Sequence, residues 1–363
     1  MTDAPAPPPS SAGGLRVVPL LGLGEVLAGA DLAGLLLGAL TASGVGLHPG
    51  DCLVVSSKVV SKALGLTWDG TREDAVTAGT VRVVAERRAA DGGVTRVVES
   101  LAGPVMAAAG VDASNTGSSA RLLVLPDDPD AEAARLRSAL LRLLELPSGT
   151  PLAVILSDTA GRPWRDGLTD LALGSAGLAV LEDLRGATDH DGRPLTVTTR
   201  AVADEVAAAA DLVKGKADGI PAALVRGLDA AWFSPDAPGA RALVRVGPGD
   251  WFALGHVEAL RASLGVPPGS TLSQEVGIRP VLPGESLGPR VARVVALALL
   301  DVPQGSADVG VDEASGSAAV TLGAPGGYDL GRLVVRLQVA AASEGLHARE
   351  LASSGDAITL ALG

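Results

Sequence analysis

A soluble protein of the α/β type is what this sequence predicts, from three observations. Short continuous apolar runs at residues 51–55 and 152–156 have the length of buried strands and are bounded by turn or polar residues. Between such runs lie stretches with the apolar periodicity or the alanine content of helices. Hydrophobic residues make up 47% of the 363-residue chain, nearly all of them Ala, Val and Leu, and only 2% are aromatic. That bias raises mean hydropathy without implying a membrane, and the length supplies the core of one large or two ordinary domains.

In order along the chain, residues 1–14 are rich in Pro, Ala and Ser and lack the basic and apolar segments of a signal peptide. They read as a disordered tail on a cytoplasmic protein. Residues 15–20 read as a strand, Gly22-Leu23-Gly24-Glu25 as a turn, and Asp31 as the N-cap of a helix. The uncharged stretch 32–47 is too short, and too interrupted by glycine, to span a bilayer. The strand at 51–55 runs into a polar segment at 57–62, and 63–68 reads as a further strand. Alternating charge over 73–89 predicts a helix, with short strands at 95–100 and 105–107. Asp128 opens an amphipathic helix to Leu144, with Arg135, Arg137 and Arg142 expected on its outer face. The strand at 152–156 is expected to end at a polar cluster; 178–181 reads as a short helix or strand, 201–213 as an Ala-rich helix and 222–226 as a strand.

Pro-, Gly- and Ala-rich segments at 234–240 and 266–288 predict a domain boundary. Beyond it come a helix at 290–300, a strand at 318–322, a helix at 330–343 and a strand at 357–362. The expected organisation is a tail (1–14), a first domain (15–233), a linker region (234–288) and a small α/β module (289–363).

A net charge of −12 lacks the basic face that attracts phosphate backbones, so nucleic acid is not an expected partner. The single cysteine, Cys52, lies in an apolar run, which excludes an internal disulfide and a cysteine-based metal site and reads as a small buried hydrophobe. His48, His190, His256 and His347 never fall at an i, i+3 or i, i+4 ligand spacing. Any metal is therefore expected on oxygen ligands.

Four clusters carry candidate chemistry. Ser57-Lys58-Val59-Val60-Ser61-Lys62 follows a buried strand, where hydroxyls and ammonium groups can bind phosphate oxygens; from the residues alone a polar loop with solvated lysines is the favoured reading. Near Gly110, Asp112 offers a ligand for a hard cation and Asn115 a contact for phosphate or ribose, or the two form an Asx-turn or helix cap. In Ser157-Asp158-Thr159-Ala160-Gly161-Arg162-Pro163-Trp164-Arg165, a carboxylate and a hydroxyl at a strand end precede two arginines. Metal plus guanidinium is what phosphoryl transfer needs; the alternative is a surface loop of Asp–Arg pairs. In 203–221, Asp204 and Asp211 share a helix face, and Lys214 and Lys216 suit either dipole compensation or a ligand.

Together these clusters resemble the coenzyme F420-0:L-glutamate ligases, or gamma-glutamyl ligases, from about residue 16 to residue 228. The matching words are Gly22-Leu23-Gly24-Glu25, Ser57 to Lys62, Ala108 to Asn115, Asp158 to Arg165, and Ala203-Asp204-Glu205 with Ala209 to Lys216, five motifs in the family's order. The resemblance implies an α+β fold with a mixed sheet, working as an intertwined homodimer. It implies GTP-dependent ligation of L-glutamate to coenzyme F420-0, and of further gamma-linked glutamates, through an acyl phosphate, with release of GDP and phosphate. Mg²⁺ or Mn²⁺ is implied, with K⁺ as a possible monovalent partner.

Carried over by residue, Leu23, Gly24, Glu25, Val26, Ser57, Lys62 and Asn115 would contact the nucleotide. The segment Lys214, Gly215, Lys216, Ala217, Asp218, Gly219, Ile220 and Pro221 would close over it. Asp112, Asp158 and Thr159 would hold the metal; Asp112, Asp158, Arg162 and Arg165 would carry the catalysis. In an acidic protein, Lys58, Lys62, Arg162, Arg165, Lys214 and Lys216 would concentrate positive potential at the site. The chain departs from the family at Gly24, where members usually have Pro, and at Leu168, where they usually have Gln. A non-catalytic ligand-binding or scaffold relative, or a ligase for a different acceptor, are the alternative readings.

The last third has no Gly-rich phosphate loop and no acid–base cluster. Residues 239–245 with Trp251-Phe252 resemble the segment that joins actinobacterial relatives to a flavin-binding nitroreductase-like domain, but the residues beyond Phe252 are too few for a complete domain of that kind. No FMN is therefore expected.

Overall fold

The computed structural model describes residues 14–113, 121–215, 218–282 and 284–363. Through the first half the elements are β1 (Arg16–Pro19), α1 (Leu32–Ala42), β2 (Asp51–Ser56), α2 (Ser57–Leu64), β3 (Thr67–Trp68), α3 (Arg72–Ala78), β4 (Thr80–Arg88), β5 (Val94–Ser100), β6 (Val105–Ala107), β7 (Leu122–Leu123), α4 (Pro129–Leu143), β8 (Leu152–Arg162) and β9 (Arg165–Ala176). The second half contains β10 (Glu182–Asp183), β11 (Thr199–Arg200), α5 (Val202–Lys214), β12 (Ala222–Arg226), α6 (His256–Ser263), α7 (Thr271–Val276), α8 (Leu287–Leu299), β13 (Ser306–Asp312), β14 (Ser317–Gly323), α9 (Gly327–Ser343), β15 (Ala348–Ser354) and β16 (Ala357–Leu362). The chain divides into two compact units, Met1–Thr80 with Ser100–Gly249, and Val81–Glu99 with Asp250–Gly363. No helix of the described residues is long and apolar enough to cross a membrane.

The first unit is built on a mixed sheet of order β1-β12-β2-β8-β9. β2 and β8 are parallel; the other neighbours are antiparallel. The central strands carry continuous apolar runs, Cys52 to Val55 in β2 and Leu152 to Leu156 in β8, where both faces are covered. Leu53 and Val55 of β2 and Leu152, Val154 and Leu156 of β8 join Leu36 and Leu40 of α1 and Leu136 and Leu140 of α4 in one core. Cys52 and Val54, with Ala153 and Ile155, pack on α5 in another, where Ala203, Ala207 and Ala210 are fully buried. Alanine at those positions leaves no side chain to hold the helix away from the sheet. Burial and the neighbouring Asp51 push the Cys52 thiol well above its ordinary pKa, which leaves it an inert core residue. Asp31 caps α1 through the Gly34 amide and Asp128 caps α4 through Ala131, as the sequence predicts.

Several expectations are corrected. The helix expected over 73–89 is α3 followed by β4: Gly79 ends the helix, and the β-branched residues Thr80, Val81, Val83 and Val84 favour a strand. The polar segment 57–62 is helix α2, closed by Gly65 at φ 68°, and the strand expected over 63–68 is reduced to β3. Arg137 faces inward; its guanidinium donates to the carbonyls of Leu152, Ser148 and Thr150. Residues 178–181 form no regular element, although Leu178 bridges to Phe233. Finally, β8 does not stop at Leu156 but continues through the polar cluster to Arg162, pairing with β9.

The second unit is not preceded by an extended linker, since α6 and α7 lie within 234–288. It also takes the hairpin β4–β5 from the middle of the first domain's sequence. Backbone bonds from Gly255 to Val84, from Arg88 to Arg279 and from Val281 to Arg88 stitch that hairpin to the C-terminal segment. Here an antiparallel sheet of order β13-β14-β16-β15 shares a core with α8 and α9, including Val294, Leu297, Val320, Leu322, Leu333 and Leu360. β13 and β15 are additional to the expected elements; both are exposed edge strands, and although Ala307, Val309 and Val311 alternate in β13, β15 shows no such alternation.

Candidate functional site

The carboxyl ends of the parallel strands β2 and β8 are where an open sheet binds ligands. In the first unit this edge opens into a cavity of about 290 Å³. β2 passes directly into α2 at Ser56 and Ser57, and Lys58, Val59 and Lys62 line the wall, the two lysines four residues apart on one helix face. β8 contributes Ser157, Asp158 and Thr159, where its pairing with β9 shifts register between Leu156 and Ser157. Such a bulge re-aims side chains at a site. The last turn of α5 supplies Asp211 and Lys214, three apart, and Gly215, Gly219, Ile220 and Pro221 complete the rim with Gly24 and Val26.

The floor is a hydrogen-bonded polar group. Thr159 faces Asp170 across the β8–β9 ladder and donates to its Oδ1 at 2.7 Å. Ser157, two residues back on the same face, donates to Asp170 Oδ2 at 2.8 Å. Lys214 Nζ lies 2.5 Å from Asp170 Oδ2 and 2.7 Å from Ser157 Oγ. Asp170 and Lys214 are 4% and 3% exposed, so the pair is desolvated as well as close. Burial alone would push the Asp170 carboxyl up, but the Lys214 charge and the hydrogen bonds from Lys214, Thr159 and Ser157 hold it below the usual range. Behind it, Asp204 of α5 accepts the Ala172 amide at 2.9 Å, and its carboxyl is raised by burial despite that bond. Lys58 reaches Asp112 at 2.5 Å.

Of the residues singled out from sequence, the structure brings Gly24, Val26, Lys62, Asp158, Thr159, Lys214, Gly215, Gly219, Ile220 and Pro221 to one cavity. Asp112 joins through Lys58. Leu23 instead packs in the core and Glu25 is exposed. Ser57 is buried behind the wall, its hydroxyl without a hydrogen-bond partner among the described residues. Arg162 and Arg165 face each other at the exposed β8–β9 turn, outside the cavity lining, and Asp218 is exposed beside Gly215. Asn115, Lys216 and Ala217 lie outside the described residues. Gly24 sits at φ 59°, a conformation that proline's ring forbids, so this turn differs from one built on Pro.

Sequence reasoning missed Ser56 and Asp170 as lining residues, and it gave no role to Val59, Ser157 and Asp211, which lie inside its candidate clusters. Asp170 is invisible until β8 and β9 are known to pair, but one signal marks the site as a whole. The chain has only four lysines, Lys58, Lys62, Lys214 and Lys216; its other strongly basic residues are all arginine. The three among the described residues, Lys58, Lys62 and Lys214, all line this cavity. A compact ammonium on a flexible stem suits a phosphate oxygen in a confined space.

The donor chemistry fits a hard divalent cation. Asp158 and Thr159 present oxygen to the cavity. No three His, Cys, Asp or Glu groups of the described residues come together as a metal site. Mg²⁺ needs no such cage, since it keeps several waters and binds through one or two carboxylates and the phosphates of a substrate.

A mixed α/β domain with a lysine-lined cavity at its parallel-strand edge has the layout of an enzyme domain whose site lies at the sheet edge. The chain belongs to the F420-0:Gamma-glutamyl ligase family, whose model matches residues 21–227, and so is a ligase. It is 38% identical over 232 residues to the Coenzyme F420:L-glutamate ligase of Methanothermobacter thermautotrophicus, a match that covers 59% of this chain and 89% of that protein. The protein of the same name from Halobacterium salinarum is 40% identical over 226 residues, 56% of this chain and 84% of the relative. That of Natronomonas pharaonis is 39% identical over 247 residues, 62% and 89% respectively.

Proposed function

We propose that this chain ligates L-glutamate to coenzyme F420-0 in a GTP-dependent reaction. The observation that carries the reading is the meeting of Lys58, Lys62 and Lys214 with Asp158 and Thr159 in one cavity of a ligase domain. In this reading the acceptor carboxylate attacks the γ-phosphorus of GTP, the bond to the β-phosphate oxygen breaks, and GDP leaves. The acyl phosphate so formed is attacked at carbon by the glutamate amine, which loses a proton as inorganic phosphate departs with the C–O bonding pair.

Such a reaction needs positioning and charge compensation more than a side-chain nucleophile. The three lysines neutralise phosphate oxygens from α2 and α5, and the nucleotide lies against Gly215, Gly219, Ile220 and Pro221, which line the same cavity. Asp158 and Thr159, with Asp112 when it is released from Lys58, hold Mg²⁺ or Mn²⁺, which when bound offsets the charge on the phosphates. Arg162 and Arg165 serve as outer clamps for the anionic tail of the acceptor. A monovalent cation such as K⁺ and a homodimeric state belong to the same proposal, and light scattering checks the second.

The deciding assay is mass spectrometry of F420-0 incubated with the protein, GTP, L-glutamate and Mg²⁺, with a control lacking GTP. Glutamate mass increments that require GTP are expected, and Asp158→Asn is expected to abolish them. No increment, with Mn²⁺ and K⁺ also supplied, would transfer the chain to a different acceptor or to a non-catalytic role.

A further inference from the structure

The buried carboxylate of Asp170 has no role in the proposed reaction, yet it touches both kinds of group that the reaction needs. Its Oδ2 receives Lys214 and Ser157, and its Oδ1 receives Thr159. With those acceptor positions occupied and with 4% exposure, it is not placed to take a proton from a substrate. What it does is orient. Of the three ammonium donors of Lys214, one is spent on Asp170 and one on Ser157, which leaves one for an anion in the cavity. By taking the hydroxyl proton of Thr159, Asp170 also makes that oxygen an acceptor toward every other partner.

Resting on the ligase reading, we propose that Asp170 is a positioning residue. It presets Lys214 as a donor toward the transferred phosphoryl group and Thr159 as an oxygen acceptor toward the cation that accompanies it. Groups fixed before the substrate arrives need no reorganisation at the moment of reaction. Asparagine cannot replace this carboxylate, because its amide end must face either the ammonium, which cannot accept a hydrogen bond, or the hydroxyl, whose bond it would reverse.

The test uses the whole chain and two variants, Asp170→Asn and Ser157→Ala. Asp170→Asn is expected to lower kcat roughly 100-fold, the scale of losing a preorganised charge-stabilising donor, with KM for GTP changed less than about threefold. Because the chain has four lysines, ¹⁵N-lysine labelling gives a sparse ammonium spectrum. One slowly exchanging Lys214 signal is expected, absent in Lys214→Arg and in Asp170→Asn. Ser157→Ala, which keeps the ion pair, should keep the signal with faster exchange and lose roughly tenfold in kcat, and it serves if Asp170→Asn does not fold. A kcat within about threefold of the parent in both variants, or no protected lysine signal in the parent, overturns the proposal. A parent chain that adds no glutamate strikes the ligase reading instead; the ammonium spectrum, which needs no turnover, then still decides whether Asp170 governs Lys214.

Discussion

Two aspartates near one another are pushed in opposite directions, and each makes a prediction about pH. Asp170 is held ionised by Lys214 and its hydroxyl neighbours, so the stability it contributes is present above the ordinary carboxylate pKa near 3.9 and is lost as pH falls through its lower folded value. Asp170→Asn leaves Lys214 buried without its partner and is expected to cost about 3–5 kcal/mol at pH 7. Urea unfolding at pH 7 and pH 3 should show that difference shrinking in acid. Asp204 is raised by burial, so its surroundings disfavour the charged form and the group costs stability on the high-pH side of its titration. Asp204→Asn keeps an oxygen for the Ala172 amide and is expected to raise the urea midpoint at pH 7, an advantage that shrinks as the pH falls through the ordinary carboxylate pKa near 3.9. Equal pH dependence in the two variants would contradict these environments.

At the scale of elements, the site depends on how closely helices approach the sheet. α4 meets β9 at Gly174, where a Cβ would collide with the backbone of Pro129, and Asp130 beside it accepts the Ser175 amide at 2.8 Å. Gly174→Ala must push the start of α4 away from the strand that carries Asp170. A loss of about 1–3 kcal/mol is expected from thermal unfolding, and an unchanged midpoint would show that the contact yields freely. The β8–β9 hairpin has a local signature that becomes legible once the turn is seen: Pro163 with Trp164 at φ 61° makes a tight turn between Arg162 and Arg165. Positive φ at a tryptophan is a rare choice, which is why local rules read 157–167 as the end of a strand and not as its continuation.

For the whole molecule, the consequence of the two units is that the chain cannot be divided at one point. The hairpin of β4 and β5 buries Val84, Glu86 and Val98, yet belongs to the unit whose remainder begins at Asp250. Glu86 bonds with Ser273, and Arg87 with Glu258, while Glu344, fully buried, pairs with Arg261 and Arg293 at 2.6 Å each. Removing residues 250–363 alone should leave the hairpin's apolar side and Glu86 without cover, giving aggregation in size-exclusion chromatography. The same truncation with 81–99 replaced by a short Gly/Ser linker should remain soluble. If the simple truncation is equally soluble, the hairpin does not depend on the C-terminal segment.

What the sequence determined by itself was whatever short-range physics controls. The apolar runs of β2, β8 and β12 marked a sheet covered on both faces, Asp31 and Asp128 marked helix starts, and the ordered words around Asp158 and Lys214 marked a family. The tertiary structure decided what depends on residues far apart in the chain. It replaced a helix by β4 because the strand has a partner in β5, and turned Arg137 inward because carbonyls of the β8 approach receive it. It also made Asp170, which no motif named, the centre of the cavity floor by pairing β9 with β8. The physical reason is common to these cases: local propensity sets which conformations are cheap, but only long-range pairing determines which polar groups are buried together.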